Sequence, residues 1–267
     1  MMIRKEEMSK EELVKKVVEK KEFSQLPLKD VEMAFSFYNK EKYTDEEKVK
    51  LTRNLLRNVF SSFSGANLFS KKNINSDKIL RKHKSTNERL FYYSEIYERI
   101  FKGLNGKRVS VIDLGAGVNG YSFPFFEKLN LNVSYIAVEA VGQFVDLMNS
   151  YFITNHLNGK AIHLSLFETE KIKKLILETR KPRVVFLFKV IDSLEMLKRD
   201  YSKELISELM NEKLADRVVV SYATKSLGRR ERFKANRNWI VSFIKDDFKV
   251  IDDFEIGGER YLVFEKK

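Results

Sequence analysis

The chain has 267 residues, 43% of them apolar with 21 Phe and 11 Tyr, which is enough to bury a full core and suits one large domain or a domain with an appended module. It has no cysteine, which excludes disulfides, thiolate metal centres and cysteine nucleophiles, and its three histidines, His83, His156 and His163, leave no metal expected. A formal net charge of +12 points to a polyanionic partner, because clustered Lys and Arg gain affinity by releasing counterions from phosphates.

In chain order, residues 10–22 read as an amphipathic helix with Leu13, Val14, Val17 and Val18 on one stripe. A second helix over 28–38 presents Val31, Ala34, Phe35 and Tyr38, and Thr44-Asp-Glu-Glu47 supplies a cap and acidic first turn for a third over 49–60. Residues 1–78 are therefore expected to form a small helical bundle, with a turn at 61–66 and a basic connector over 71–84. Residues 1–84 carry 20 Lys/Arg against 13 Asp/Glu. A helix from 87 towards 102 follows, capped by Ser85 or Thr86, with Leu90, Tyr93, Tyr97 and Ile100 inward. Then the period changes. Apolar runs at 109–112, 133–138, 161–164, 184–188 and 217–221, separated by helix-length segments, predict a parallel sheet covered on both faces. Runs at 248–254 and 260–264 flank Gly257-Gly258, the pattern of a closing antiparallel hairpin. Residues 79–267 thus read as one α/β domain. Nothing approaches the roughly 18 uninterrupted apolar residues of a membrane span, and the charged N-terminal stretch is unlike a signal peptide, so a cytoplasmic location is expected; the oligomeric state expected is a monomer.

Asp113-Leu-Gly-Ala-Gly-Val-Asn-Gly120 carries the strongest chemical signal. It follows an apolar strand and precedes a helix, and its glycines let the backbone turn sharply and approach a ligand that a Cβ would block. Glu139 falls where the next strand ends. The spacing alone fits a dinucleotide, a nucleoside methyl donor or a plain helix cap. Asp113 at the strand end and the closing hairpin both favour S-adenosylmethionine over a nicotinamide dinucleotide. Residues 225–237 add six basic side chains against Glu231.

Further segments resemble the Arm/Rmt (FmrO-like) family of 16S ribosomal RNA guanine-N7 methyltransferases, which act on the decoding region and confer aminoglycoside resistance. His83-Lys-Ser-Thr-Asn-Glu-Arg-Leu90 resembles the family's H-x-S-T-x-E-R-L segment, and the loop from Asp113, with Pro124, resembles its cofactor loop. Phe186-Leu-Phe-Lys-Val-Ile-Asp-Ser-Leu-Glu195 is similar to its F-K-x-x-x-x-L-E element. Ser221-Tyr-Ala-Thr-Lys-Ser-Leu-Gly-Arg-Arg230 is similar to its S-F-P-T-R-S-L-G-G-R loop, and Gly258-Glu259 falls on a family Gly/Thr-Glu position.

The resemblance, which covers residues 80–267, implies a class I methyltransferase (Rossmann-like) sheet with a C-terminal antiparallel hairpin, preceded by the helical module as an rRNA-docking unit. It implies S-adenosylmethionine as cofactor and small-subunit rRNA as partner. Arg89 is then expected to pair with the cofactor's carboxylate. Asp113, Gly115, Ala116 and Gly117 are expected to form the loop around it, and Glu139, with Ala140, to accept from both ribose hydroxyls. Ser165 and Leu166 fall on the adenine-contacting pair, where the family has Asp then Leu. Lys189 and Glu195 are assigned to activity, together with Lys225 and Arg230. Lys225, Ser226, Arg229, Arg230, Arg232, Lys234 and Glu259 are assigned to RNA, and Tyr222, Phe233 and Trp239 are candidates to stack on a flipped guanine. Ala223 and Lys225 replace the family's Pro and Arg. The substituted loop keeps open a methyltransferase of the same fold acting on another RNA or a protein, and Ser165 and Lys225 keep open a non-catalytic RNA-binding or ribosome-assembly factor.

Overall fold

The computed structural model describes residues 8–61, 76–224 and 237–267. Three helices open the chain: α1 (Lys10–Val18), α2 (Leu28–Ser36) and α3 (Asp45–Leu56), the last running into a π-turn at Arg57–Ser61. Ser9 with Glu12, and Thr44 with Glu47, form reciprocal capping boxes that satisfy orphan N–H groups at the starts of α1 and α3. Helix α1 stops short of the expected residue 22, because the charged Glu19-Lys-Lys-Glu22 stretch has no apolar face to bury and turns so that Phe23 enters the core. Leu13, Val17, Phe23, Val31, Phe35 and Leu56 pack together there, joined by Leu197 from the larger unit.

The next segment forms α4 (Ser76–Lys82), α5 (Lys84–Arg89) and α6 (Tyr93–Ile100). The expected single helix over 87–102 is thus broken. Tyr92 N–H donates to the Arg89 carbonyl in a tight turn at 2.8 Å. The offset turns Ser85, Thr86 and Arg89 inward from α5 while α6 buries Tyr93, Ile96, Tyr97 and Ile100. Ile79 and Leu80 of α4 belong to the core of the sheet domain.

Seven strands follow: β1 (Arg108–Leu114), β2 (Asn132–Glu139), β3 (Gly159–His163), β4 (Arg183–Phe188), β5 (Arg217–Ala223), β6 (Lys249–Ile256) and β7 (Glu259–Glu265). Their order is β3-β2-β1-β4-β5-β7-β6, with β1 to β5 parallel and β7 antiparallel to both neighbours. The five parallel strands and the closing hairpin are those the sequence predicts. Central β4 is buried at every position, which is why it reads as a continuous apolar run, whereas edge strand β6 fully buries a single residue.

Helices cover both faces. On one side α6, α7 (Pro124–Lys128) and α8 (Gly142–Thr154) pack an aromatic layer in which Tyr97 stacks on Phe126 at 4.3 Å and lies 6.0 Å from Phe186. On the other lie α9 (Thr169–Leu177), α10 (Ile191–Leu197), α11 (Tyr201–Asn211) and α12 (Asn238–Asp247). Strand order reverses between β1 and β4, and ligands of open α/β sheets bind in the crevice outside the carboxyl ends at such a point.

Candidate cofactor site

A cleft opens at that crevice, enclosing about 810 Å3 of empty space with its mouth included. Its wall at β1 is the glycine turn. Gly115 and Gly117 have φ of +76° and +57°, and a Cβ on Gly115 would lie 2.6 Å from Val190 Cγ2. Gly120 serves differently, since its Cβ would lie 2.6 Å from Phe152 and 3.0 Å from Met148 Sδ, so it permits packing against α8. Only the first two glycines line the cleft.

Glu139 ends β2 in the cleft wall. Its Oε2 accepts from Gly117 N–H at 2.7 Å and its Oε1 from Val141 N–H at 2.8 Å. Each oxygen keeps a lone pair for a ligand hydroxyl. Burial raises the carboxyl's pKa, and those backbone donors oppose the rise. Ala116 and Ala140 line the cleft beside it.

Asp113 does not line the cleft. It is fully buried behind the turn, where it accepts from Asn119 Nδ2 at 2.7 Å and Tyr135 OH at 2.5 Å. As an acceptor it fixes which way the Asn119 amide faces. Asn119 Oδ1 consequently accepts from Arg89 Nη1 at 3.1 Å and Tyr93 OH at 2.7 Å.

Arg89 and Lys189 form the cationic floor, both lining the cleft and both largely buried. They share one anion: Glu259 Oε2 lies 3.1 Å from Arg89 Nε and 3.1 Å from Lys189 Nζ. Ser221 Oγ donates to Glu259 Oε1, Lys189 also pairs with Glu88, and Arg89 Nη2 donates to Ser85 Oγ at 2.6 Å. Burial pushes the Glu259 carboxyl upward, but the Arg89 and Lys189 cations together outweigh it and hold it below the ordinary range. Glu259 is 1% exposed, so its assignment to RNA is overturned: it is the counter-ion of the cleft floor. Lys189 sits at φ 55°, a left-handed conformation uncommon outside glycine.

Ser165, Glu195 and Tyr222 also lie elsewhere than the sequence predicts. Ser165 is fully buried and lies behind the wall, donating to Asp30 Oδ1 at 2.9 Å and accepting from Phe167 N–H at 3.1 Å. Leu166 and Asp30 line the cleft in its place. Glu195 lies away from the cleft and caps α11, accepting from Asp200 N–H at 2.6 Å, Ser202 N–H at 2.9 Å and Ser202 Oγ at 2.6 Å. Helix starts leave such N–H groups without internal partners, which explains the acidic side chain. Tyr222 is buried beneath Arg237, whose guanidinium lies 5.3 Å from the ring, so neither is presented to a base. Arg237 forks onto Asp192 at 2.5 and 3.1 Å. Trp239 packs half-buried against the α12 side of the core. Lys225, Ser226, Arg229, Arg230, Arg232, Phe233 and Lys234 lie outside the described residues.

Sequence reasoning missed His83, Asn119 and Asp30. His83 lies in a quoted motif without an assigned role; it lines the cleft, and burial pushes its imidazole down to about 3, helped by Arg89 and Lys189. It is therefore neutral and cannot add to the cation pair. Asp30 had no signal, because an acidic first-turn residue reads as a helix-start preference. Burial pushes its carboxyl up to about 7, opposed by the Ser165 hydrogen bond and reinforced by the charges of Glu139 and Glu168, with Lys29 opposing. A raised carboxyl costs stability as pH rises from the unfolded pKa through the folded one. Asp30→Asn is therefore expected to melt several degrees above the parent at pH 8, with the gap closing towards pH 4. A gap independent of pH in thermal melts would contradict the raised pKa.

Among the described residues no group of three His, Asp or Glu could hold a metal, and no helix is long and apolar enough to cross a membrane. A 3-2-1-4-5-7-6 sheet with reversed β7, a glycine turn after β1 and a carboxylate ending β2 define the class I methyltransferase fold. The chain belongs to the FmrO family of ribosomal RNA methyltransferases, whose sequence model matches residues 46–239. The match reaches into the helical module, upstream of residue 80 where the motif resemblance begins. A curated relative, the 16S rRNA (guanine(1405)-N(7))-methyltransferase of Proteus mirabilis, is 24% identical over 191 residues, 70% of this chain. The chain spans 63% of that relative's length. Among solved structures, the 16S rRNA methyltransferase RmtF in complex with S-adenosyl-L-homocysteine superposes with a TM-score of 0.77 at 19% identity, covering 97% of this chain and 100% of that one. RmtB gives 0.73 at 16% identity, covering 97% of this chain and 99% of that one.

Proposed function

We propose that this protein transfers the methyl group of S-adenosylmethionine to N7 of a guanine in the decoding region of small-subunit ribosomal RNA. The observation that carries the reading is the cleft, in which a glycine turn, a carboxylate with two spare lone pairs and a buried cation pair fit a nucleoside bearing a charged tail. Gly115 to Gly117 and Glu139 would hold the nucleoside, and Arg89 its carboxylate. When bound, the cofactor supplies an electrophilic methyl group on a sulfonium. Guanine N7 has an in-plane lone pair and no proton, so no general base is required of the protein. The residues agree: His83 is neutral and buried, and Lys189 is held in ion pairs. What the chain provides is orientation in a water-poor cleft and a pocket for a base taken from its stack.

The helical module, residues 1–78, is the proposed docking unit. Lys16, Lys20, Lys40, Lys48, Lys50, Arg53 and Arg57 border a broad cleft there, with Glu19, Glu41, Asp45 and Glu46 as the acidic counterweight. Such a surface contacts phosphates without reading sequence. The basic segment 225–234 is proposed to position the target strand, and a cytoplasmic monomer is the proposed state.

The test is incubation with tritiated cofactor and either intact small subunits or naked rRNA, followed by N7-sensitive strand scission. Label absent from decoding-region guanines in both substrates refutes the assignment. Charge reversal at Lys225 and Arg230 together is expected to weaken RNA binding about tenfold or more while leaving cofactor affinity within about twofold, since phosphate contacts are lost but the cleft is untouched. Equal losses in filter binding and calorimetry would show that the two sites are not separate.

A further inference from the structure

We propose that Asp30, from α2 of the helical module, accepts the exocyclic amino group of the cofactor's adenine, with Ser165 as its tether. The inference rests on the cofactor reading above and adds a ligand from outside the methyltransferase sheet. Asp30 is 1% exposed yet lines the cleft. Its Oδ1 is occupied by Ser165 Oγ at 2.9 Å, while its Oδ2 has no hydrogen-bond partner among the described residues. Buried polar atoms are almost always partnered, and an orphan facing a cleft is suited to a donor that arrives with a ligand.

The direction of the hydrogen bonds is fixed. Ser165 Oγ accepts from Phe167 N–H at 3.1 Å, so its own proton is directed at Asp30 Oδ1, and above a pH of about 7 the ionised Asp30 offers the cleft an acceptor at Oδ2. Around it Val59, Leu166, Phe167 and Leu197 line an apolar slot suited to a flat base. The ribose carboxylate Glu139 is close enough for its charge to act on Asp30. A nucleoside with its ribose on Glu139 and its tail along Gly115 to Gly117 therefore extends its base towards Asp30. Adenine presents two N–H donors there; hypoxanthine would bring a carbonyl oxygen against Oδ2. The module that faces the substrate thereby also completes the cofactor pocket.

Calorimetric titration of the full chain with S-adenosylhomocysteine and with S-inosylhomocysteine, whose base carries oxygen in place of the amino group, tests this. The parent protein is expected to prefer the adenosyl compound by about 100-fold, since a site built to accept a hydrogen bond rejects a ligand lacking the donor. Asp30→Ala should bring the two affinities within about threefold. Asp30→Asn, which keeps size and fold, should turn its amide nitrogen to the cleft because Ser165 claims its oxygen, and so prefer the inosyl compound. Exchanging the pair, Asp30→Ser with Ser165→Asp, should restore adenosyl preference from the other end of the same hydrogen bond. Parental preference in both single variants overturns the role of Asp30 alone. Failure of the parent protein to bind either compound overturns the cofactor reading with it.

Discussion

Glu259→Ala is expected to destabilise the protein by about 3–5 kcal/mol, the usual cost of removing one partner from a buried ion pair. The large value follows from geometry: one carboxylate serves both Arg89 and Lys189 at 3.1 Å, so its loss leaves buried Arg89 without its anion and Lys189 with Glu88 alone. Glu259→Gln retains the shape and the Ser221 contact and should fall between parent and alanine variant. Urea denaturation at neutral pH measures this, and a loss under about 1 kcal/mol would mean that the cations find other partners. The pH dependence has a definite sign. The folded-state carboxyl is held below its unfolded value, so its stabilisation is present above the ordinary carboxylate range and is lost as pH falls through the folded value. The gap between parent and Glu259→Gln should therefore narrow on acidification.

Glu139→Ala is expected to weaken S-adenosylmethionine binding by about 100-fold or more. Two hydrogen bonds to a charged acceptor are each worth about 1.5–3 kcal/mol, and about 1.4 kcal/mol is a factor of ten. A second loss adds to the first, because the same carboxylate holds Gly117 N–H and so shapes the turn before any ligand arrives. RNA affinity should stay within about twofold. A calorimetric loss below tenfold would remove Glu139 from the ribose contact.

The sheet was legible because its signals are local. Each parallel strand is a short apolar run, and the closing hairpin is marked by Gly257-Gly258, both at positive φ. The glycine turn, Glu139 and Lys189 were legible for the same reason, as each follows directly from the end of a strand. What escaped depends on partners remote in sequence. Glu259 reads as a surface residue until Arg89 and Lys189 are placed beside it, and Glu195 reads as catalytic until the start of α11 folds back onto it. Asp30 and Ser165 are 135 positions apart, and no pattern in either neighbourhood announces the other. The broken helix at residues 90–92 is a further case, because periodicity continues through it and only the inward pull on Arg89 explains the offset.

The pair between Arg89 and Glu259 closes a loop of 170 positions, joining a helix that precedes the first strand to the strand that closes the hairpin. Contacts of such span carry a loop-closure entropy that must be met before they contribute anything. Without β7, Arg89 and Lys189 lose the anion they share at the floor of the cleft, and only Glu88 remains beside Lys189. A ligand that needs this floor therefore stabilises only molecules in which the hairpin has closed over the cleft, as a clasp on a chain already folded.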